Sequence, residues 1–178
     1  MKKLILSAIV ILSFSAVSFG VPTVAPTNNT ATATVTANII QPITITNNSA
    51  LGFGNIATGV AGTVLLNPAN ASRTASSGVV LPPTQTGSVT AADFTVSGEG
   101  GTAYTLTLPA QTNITQGGNT ITINAFTSTL TSLSGGVLGG TGGTTGTQDV
   151  KVGATLNISS TQVTGSYTGT FSVTVNYN

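Results

Sequence analysis

The chain has no cysteine, no histidine and no tryptophan. Without cysteine it can form neither disulfide staples nor thiolate sites, and without histidine it has no imidazole base or ligand. Charge is nearly as scarce. Lys2, Lys3, Arg73 and Lys151 are the only bases, and Asp93, Glu99 and Asp149 the only acids. Such a chain has no charged field to hold nucleic acid or an anionic membrane surface. Burial and backbone pairing must stabilise the fold alone. Apolar residues still make up 39% of the sequence, which separates it from disordered chains of low hydropathy.

The same scarcity limits catalysis. A hydrolase needs a nucleophile with a base, or two carboxylates in defined roles. Lys151 beside Asp149 is the one pairing that could serve a serine nucleophile, and it reads more simply as a solvated charge pair. Asp93 is expected to face outward opposite Phe94, and Glu99 to sit in a turn. Three scattered acids make a poor set of oxygen ligands for a metal. The glycines between Gly135 and Gly146 precede neither a lysine nor a helix start, as a phosphate-cradling loop would require. Triplets such as Asn70-Ala71-Ser72 and Asn113-Ile114-Thr115 are expected by chance in a chain this rich in threonine. No catalytic residue, metal site or cofactor is assigned, and no enzyme is expected. With so few titrating groups, stability should change little between mildly acidic and mildly basic pH.

What the sequence does contain is alternation. Residues 1–20 begin with Lys2-Lys3, continue in an apolar run and end in small residues, the pattern of a secretory signal peptide cleaved after Gly20 or Ser18. The run is short for a membrane span, so none is expected after cleavage. Residues 21–30, with two prolines and two asparagines, read as a flexible linker. The rest, 31–178, reads as one domain. Ala31, Ala33, Val35, Ala37, Ile39, Ile43 and Ile45 share one face of an alternating stretch that Pro42 interrupts. Because proline donates no ladder bond, two strands in line are expected, 31–40 and 43–46.

Leu51 and Phe53 mark a core corner, 62–66 a short strand, Asn67-Pro68 a turn, and 72–74 and 78–81 weaker strands. Residues 92–96 and 103–108 read as a hairpin across a glycine-rich turn. Gly117-Gly118-Asn119 is a second turn, followed by Ile121, Ile123 and Ala125. Residues 133–147 read as an exposed Gly/Thr loop. Val150, Val152, Ala154, Leu156 and Ile158 then form another inward face. At the C-terminus Tyr167, Phe171, Val173, Val175 and Tyr177 alternate with threonine, serine and asparagine. This period of two places them on the core side of a final strand. Short strands at regular spacing predict an all-β, antiparallel, immunoglobulin-like sandwich, with a closed barrel as the alternative. Seven aromatics after the leader form no girdle, against an outer-membrane barrel.

Two resemblances follow. The ordered set Pro42-Ile43-Thr44-Ile45, Leu51-Gly52-Phe53-Gly54, Gly62-Thr63-Val64, Ala92-Asp93-Phe94, residues 104–109, Val152-Gly153-Ala154-Thr155-Leu156 and residues 165–177 resembles an exported bacterial family of unknown function, the four-four-oh-two family. That resemblance implies an exported β-domain and no chemistry. Gly165, fourteen places from the end, and the penultimate Tyr177 resemble the final strand of chaperone-usher pilins, which often carry the disulfide this chain lacks. This second likeness implies self-association, with a periplasmic chaperone and an outer-membrane usher as further partners. Its interface would comprise Ala31, Ala33, Val35, Ala37, Ile39, Phe171, Val173, Val175 and Tyr177. Two functions stay open: a surface filament subunit that passes through the periplasm and assembles by strand donation, or a monomeric exported domain that binds a glycan or surface partner.

Overall fold

The structure, a computed structural model, describes residue 20 and residues 29–57, 59–76 and 78–178. The expected signal peptide, its cleavage and most of the linker lie outside the described residues. The chain divides into two compact units, Met1–Ala37 and Asn38–Asn178. In the first, residues 29–37 form no helix or strand and are exposed throughout, and residues 38–42 of the second continue in the same way. The strand expected over 31–40 is therefore absent. Alternation specifies which face of a strand would be buried, but a strand exists only where a second one satisfies its backbone groups.

The second unit is all-β and antiparallel, with no helix among the described residues. Its strands are β1 (Thr44–Ser49), β2 (Gly52–Phe53), β3 (Gly62–Leu66), β4 (Arg73–Ala75), β5 (Val89–Thr90), β6 (Ala92–Glu99), β7 (Ala103–Thr107), β8 (Gln111–Gln116), β9 (Asn119–Ser128), β10 (Gly136–Val137), β11 (Thr145–Ile158) and β12 (Thr174–Tyr177). The spine is β11. Val152 pairs with both Ala92 of β6 and Ser128 of β9, and Thr155 with both Leu65 of β3 and Asn124 of β9. It follows that β6 and β3 lie end to end along one edge of β11 and β9 lies along the other. β1 flanks β6, β4 flanks β3 and β8 flanks β9, which completes a seven-stranded sheet. β10, β7 and β12 form a three-stranded sheet, and β2 pairs with β5.

β6 and β7 are not the expected hairpin. β1 and β11 already occupy both edges of β6, so the chain turns at Gly100-Gly101 and enters the other sheet. A tight hairpin does form at β8–β9, where Gly117 and Gly118 have φ of 52° and 88°. Two consecutive positive φ angles are what a two-residue primed turn needs. Residues 133–147 also differ from the exposed loop the sequence suggests: β10 pairs with β7, Leu138 is 1% exposed, and β11 begins at Thr145. Val137 alone of this pair stays out, half-exposed.

Burial follows the alternation read from the sequence. Val150, Val152, Ala154, Leu156 and Ile158 are all buried. Along the C-terminal segment Tyr167, Phe171, Val173, Val175 and Tyr177 are at least half-buried while their even-numbered neighbours are exposed, although only Thr174–Tyr177 joins a ladder. The core has two parts. Phe94, Val96, Tyr104, Leu106, Leu138 and Val150 are central to one, and Phe53, Val64, Leu66, Ile121, Ile123 and Leu156 to the other.

The β9–β11 register slips between Gly153 and Thr155, and Ala125 in the resulting bulge has φ of 48°. A left-handed conformation costs an L-residue about 1–2 kcal/mol, whereas glycine adopts it freely at an entropic cost of about 0.5–1 kcal/mol. Since Ala125 is exposed, Ala125→Gly should leave packing intact and raise the melting temperature slightly. Ala125→Val should lower it.

Candidate functional site

An open groove of about 980 Å³ runs between residues 51–57 and residues 162–169. Its floor is Ile114, Ile121, Ile123, Leu156 and Ile158, so it opens directly onto the second part of the core. No charged residue lines it. One wall is braced by Tyr167, whose hydroxyl accepts from Gln162 Nε2 and donates to the Val163 carbonyl, both at 2.7 Å. The Thr168 amide donates to the Thr115 carbonyl at 3.1 Å and the Thr115 amide to the Thr168 carbonyl at 2.8 Å.

A second constellation sits where residues 29–42 meet β1. Gln41 is held at three points: its amide donates to Glu99 Oε2 at 3.1 Å, its carbonyl accepts from the Tyr177 hydroxyl at 2.8 Å, and its side-chain Oε1 accepts from Thr145 Oγ1 at 2.7 Å. Tyr177 Oη also accepts from the Glu99 amide at 2.5 Å, and Glu99 Oε1 accepts from the Gly143 amide. Gly98 leaves room for the phenol, since a Cβ there would lie 2.1 Å from Tyr177 Oη. Glu99 is thus not a surface turn residue but a buried carboxylate at the end of β6, 6% exposed.

The amides of Gly143 and Gln41 pull the Glu99 pKa below its ordinary value of 4.5, against the upward push of desolvation. Hydrogen bonds to the charged form favour it. A lowered folded-state pKa contributes stability that is present above the unfolded value and is lost as pH falls through the folded one. The melting temperature should therefore hold level from neutral pH down to about 4.5 and drop below it. Glu99→Gln should lower it at neutral pH and remove most of that acid drop. An unchanged acid limb in the variant would put the titration elsewhere.

The nine residues expected at an interface divide into two groups. Ala31, Ala33, Val35, Ala37 and Ile39 are exposed, Val35 at 91% and Ile39 at 95%. Phe171, Val173, Val175 and Tyr177 pack in or against the domain's own core. Phe171 packs edge-on to Phe94 at 6.1 Å and against Phe126 at 5.0 Å, and Val175 and Tyr177 pair with Leu106 and Tyr104 of β7. The groove walls and the Gln41 clasp escaped the sequence reading. Gly165 and Gly169, which admit Gln116 and Ile114 against the backbone, were the signal that this part of the final strand behaves differently.

Asp93 lies on the face of β6 opposite Phe94, as expected, but is half-buried, its Oδ1 lacking a hydrogen-bond partner, and it lines a smaller cavity of about 310 Å³ with Lys151. Asp149 accepts from Thr95 Oγ1 at 2.7 Å. Among the described residues no group of three or more acids could hold a metal ion, and no helix is long and apolar enough to cross a membrane.

Residues 43–177 match the family described as Domain of unknown function (DUF4402). The chain belongs to that family. No curated protein and no solved structure matches it. Both walls of the groove and Glu99 lie inside the DUF4402 span, and the exposed residues 29–42 precede it. As the family is one of unknown function, membership carries no chemistry with it.

Proposed function

We propose that this DUF4402 protein is a non-enzymatic structural subunit, exported to the cell surface, that assembles by adding residues 31–40 as a strand to a neighbour's incomplete immunoglobulin-like sandwich. The observation that carries the reading is the state of Val35 and Ile39, each more than nine-tenths exposed on a segment that alternates like a strand but joins no strand among the described residues. Burying each would contribute roughly 1.5–3 kcal/mol. Strand addition also satisfies the main chain along its length while alternate side chains enter the neighbour. In the neighbour the strand would lie over the apolar floor of the groove, where Ile121, Ile123, Leu156 and Ile158 are already buried. Before assembly, a periplasmic chaperone would cover that floor and an outer-membrane usher would order the subunits, as the pilin-like final strand implies.

The second reading, a monomeric binding domain, draws on the small cavity with the unpaired Asp93 oxygen. Two of its polar groups are already spent: Ser49 Oγ donates to the Ala91 carbonyl at 3.1 Å and Thr90 Oγ1 to the Ala50 carbonyl at 2.8 Å. Among the described residues no tyrosine offers an exposed platform, as Tyr104 is buried and Tyr167 and Tyr177 are half-buried.

Sedimentation of the chain without its leader tests the proposal. Mass should rise with concentration, and the double variant Val35→Asp/Ile39→Asp should stay monomeric with an unchanged melting temperature, because neither side chain packs in the domain. Assembly by the double variant, or a wild-type chain that remains monomeric at its solubility limit, would overturn it.

A further inference from the structure

Resting on the strand-donation reading, we infer that the seat for Val35 and Ile39 is the groove between residues 51–57 and 162–169, and that the chain occupying it is a second copy. The chain's own Ile39 cannot reach. Gln41 is bonded to Glu99, at one end of β6, while Ser49 pairs with Asp93 at the other end and Gly52 with Thr90 beyond it. Six residues of strand separate Asp93 from Glu99, which is about 20 Å. Ile39 lies two residues before Gln41 and extends at most about 7 Å from it. The groove begins at the far end of β1 from Gln41, so Ile39 can enter only the groove of another molecule.

The chemistry of the two surfaces matches. Residues 29–40 carry no charge and neither does the groove lining. Val35 and Ile39 fall on the same side of a strand, about 13 Å apart, with only Ala37 between them on that face. The floor is two rows of branched side chains, Ile121 and Ile123 from β9 and Leu156 and Ile158 from β11, which are buried, so that an incoming strand would meet only their outer edges. A ladder edge is at hand as well. Thr168 spends both of its backbone groups on Thr115, and alternation along an extended chain turns those of Tyr167 and Gly169 the opposite way. An incoming strand would pair there.

The native chain has no cysteine, so every disulfide in an engineered pair is informative. Val35→Cys or Ile39→Cys full-length subunits are mixed under mild oxidation with Val163→Cys subunits, whose cysteine stands at the groove mouth, or with Thr46→Cys subunits, whose cysteine stands on the exposed face of edge strand β1. The groove seat predicts mixed dimers with Val163→Cys well above those with Thr46→Cys. Dimers with Thr46→Cys alone would overturn the groove seat and leave strand donation standing. Neither dimer, in samples that sediment as monomers, would overturn both. One chain carrying both Val35→Cys and Val163→Cys should not close on itself at high dilution, and an intramolecular link there would show that the occupant is not a second copy.

Discussion

Tyr104→Ala should cost about 3–5 kcal/mol of folding free energy, as large-to-small changes at filled aromatic sites do. The side chain is fully buried in the centre of the first core part, and its hydroxyl donates to Gln148 Oε1 at 2.8 Å. Burial raises the phenol's pKa, as expected for a group whose charged form loses solvent. The ring also sets the shape of β10: a Cβ at Gly136 would lie 2.5 Å from it, so the strand can approach β7 only through glycine. Tyr104→Phe keeps the packing and removes one hydrogen bond, a loss of about 1 kcal/mol. Denaturant titration of the two variants separates the contributions. A loss in Tyr104→Ala no larger than in Tyr104→Phe would mean that the site collapses around the vacancy.

The second large effect is expected at Gly153, in the middle of β11. A Cβ there would lie 2.1 Å from the Leu66 carbonyl oxygen and 2.9 Å from the Pro68 ring. Both contacts are with backbone or a rigid ring, so no side chain can rotate away. Gly153→Val forces β3 off the spine, and overpacking costs typically about 1–3 kcal/mol and more on occasion, the upper end being expected where no neighbour can move aside. Small domains hold only about 5–15 kcal/mol in total, so Tyr104→Ala combined with Gly153→Val should abolish the folded state. Thermal unfolding of the single and double variants measures this directly.

Where a residue's fate depends on its immediate neighbours, the sequence is legible. The strand expected at 62–66 matches β3 residue for residue, because its ends are set by local chemistry, a glycine at its first position and Asn67-Pro68 after it. The inward face of β11 and the alternating burial of Phe171, Val173, Val175 and Tyr177 were legible for the same reason, since a period of two needs no knowledge of partners. Partnership itself was not legible. Residues 92–108 look like a hairpin until both edges of β6 are known to be taken. Leu138 looks like loop until β7 is known to pass beside Gly136. Residues 31–40 look like a strand of the domain, yet no strand among the described residues pairs with them. Glu99 appears in the sequence as a lone acid in a glycine-rich turn. Its burial depends on amides 58 residues before it and 44 after it, at Gln41 and Gly143. The groove was illegible because it is a gap in pairing, and a gap has no residue pattern of its own.

The most direct test of strand donation is amide hydrogen exchange over residues 31–40 at increasing protein concentration. The account predicts rapid exchange in dilute solution, where the arm has no partner, and strong protection at every second amide or more once subunits assemble. The groove wall at residues 165–169 should gain protection in parallel. Arm amides that exchange rapidly at all concentrations, or that are protected equally in a dilute monomer, would contradict it.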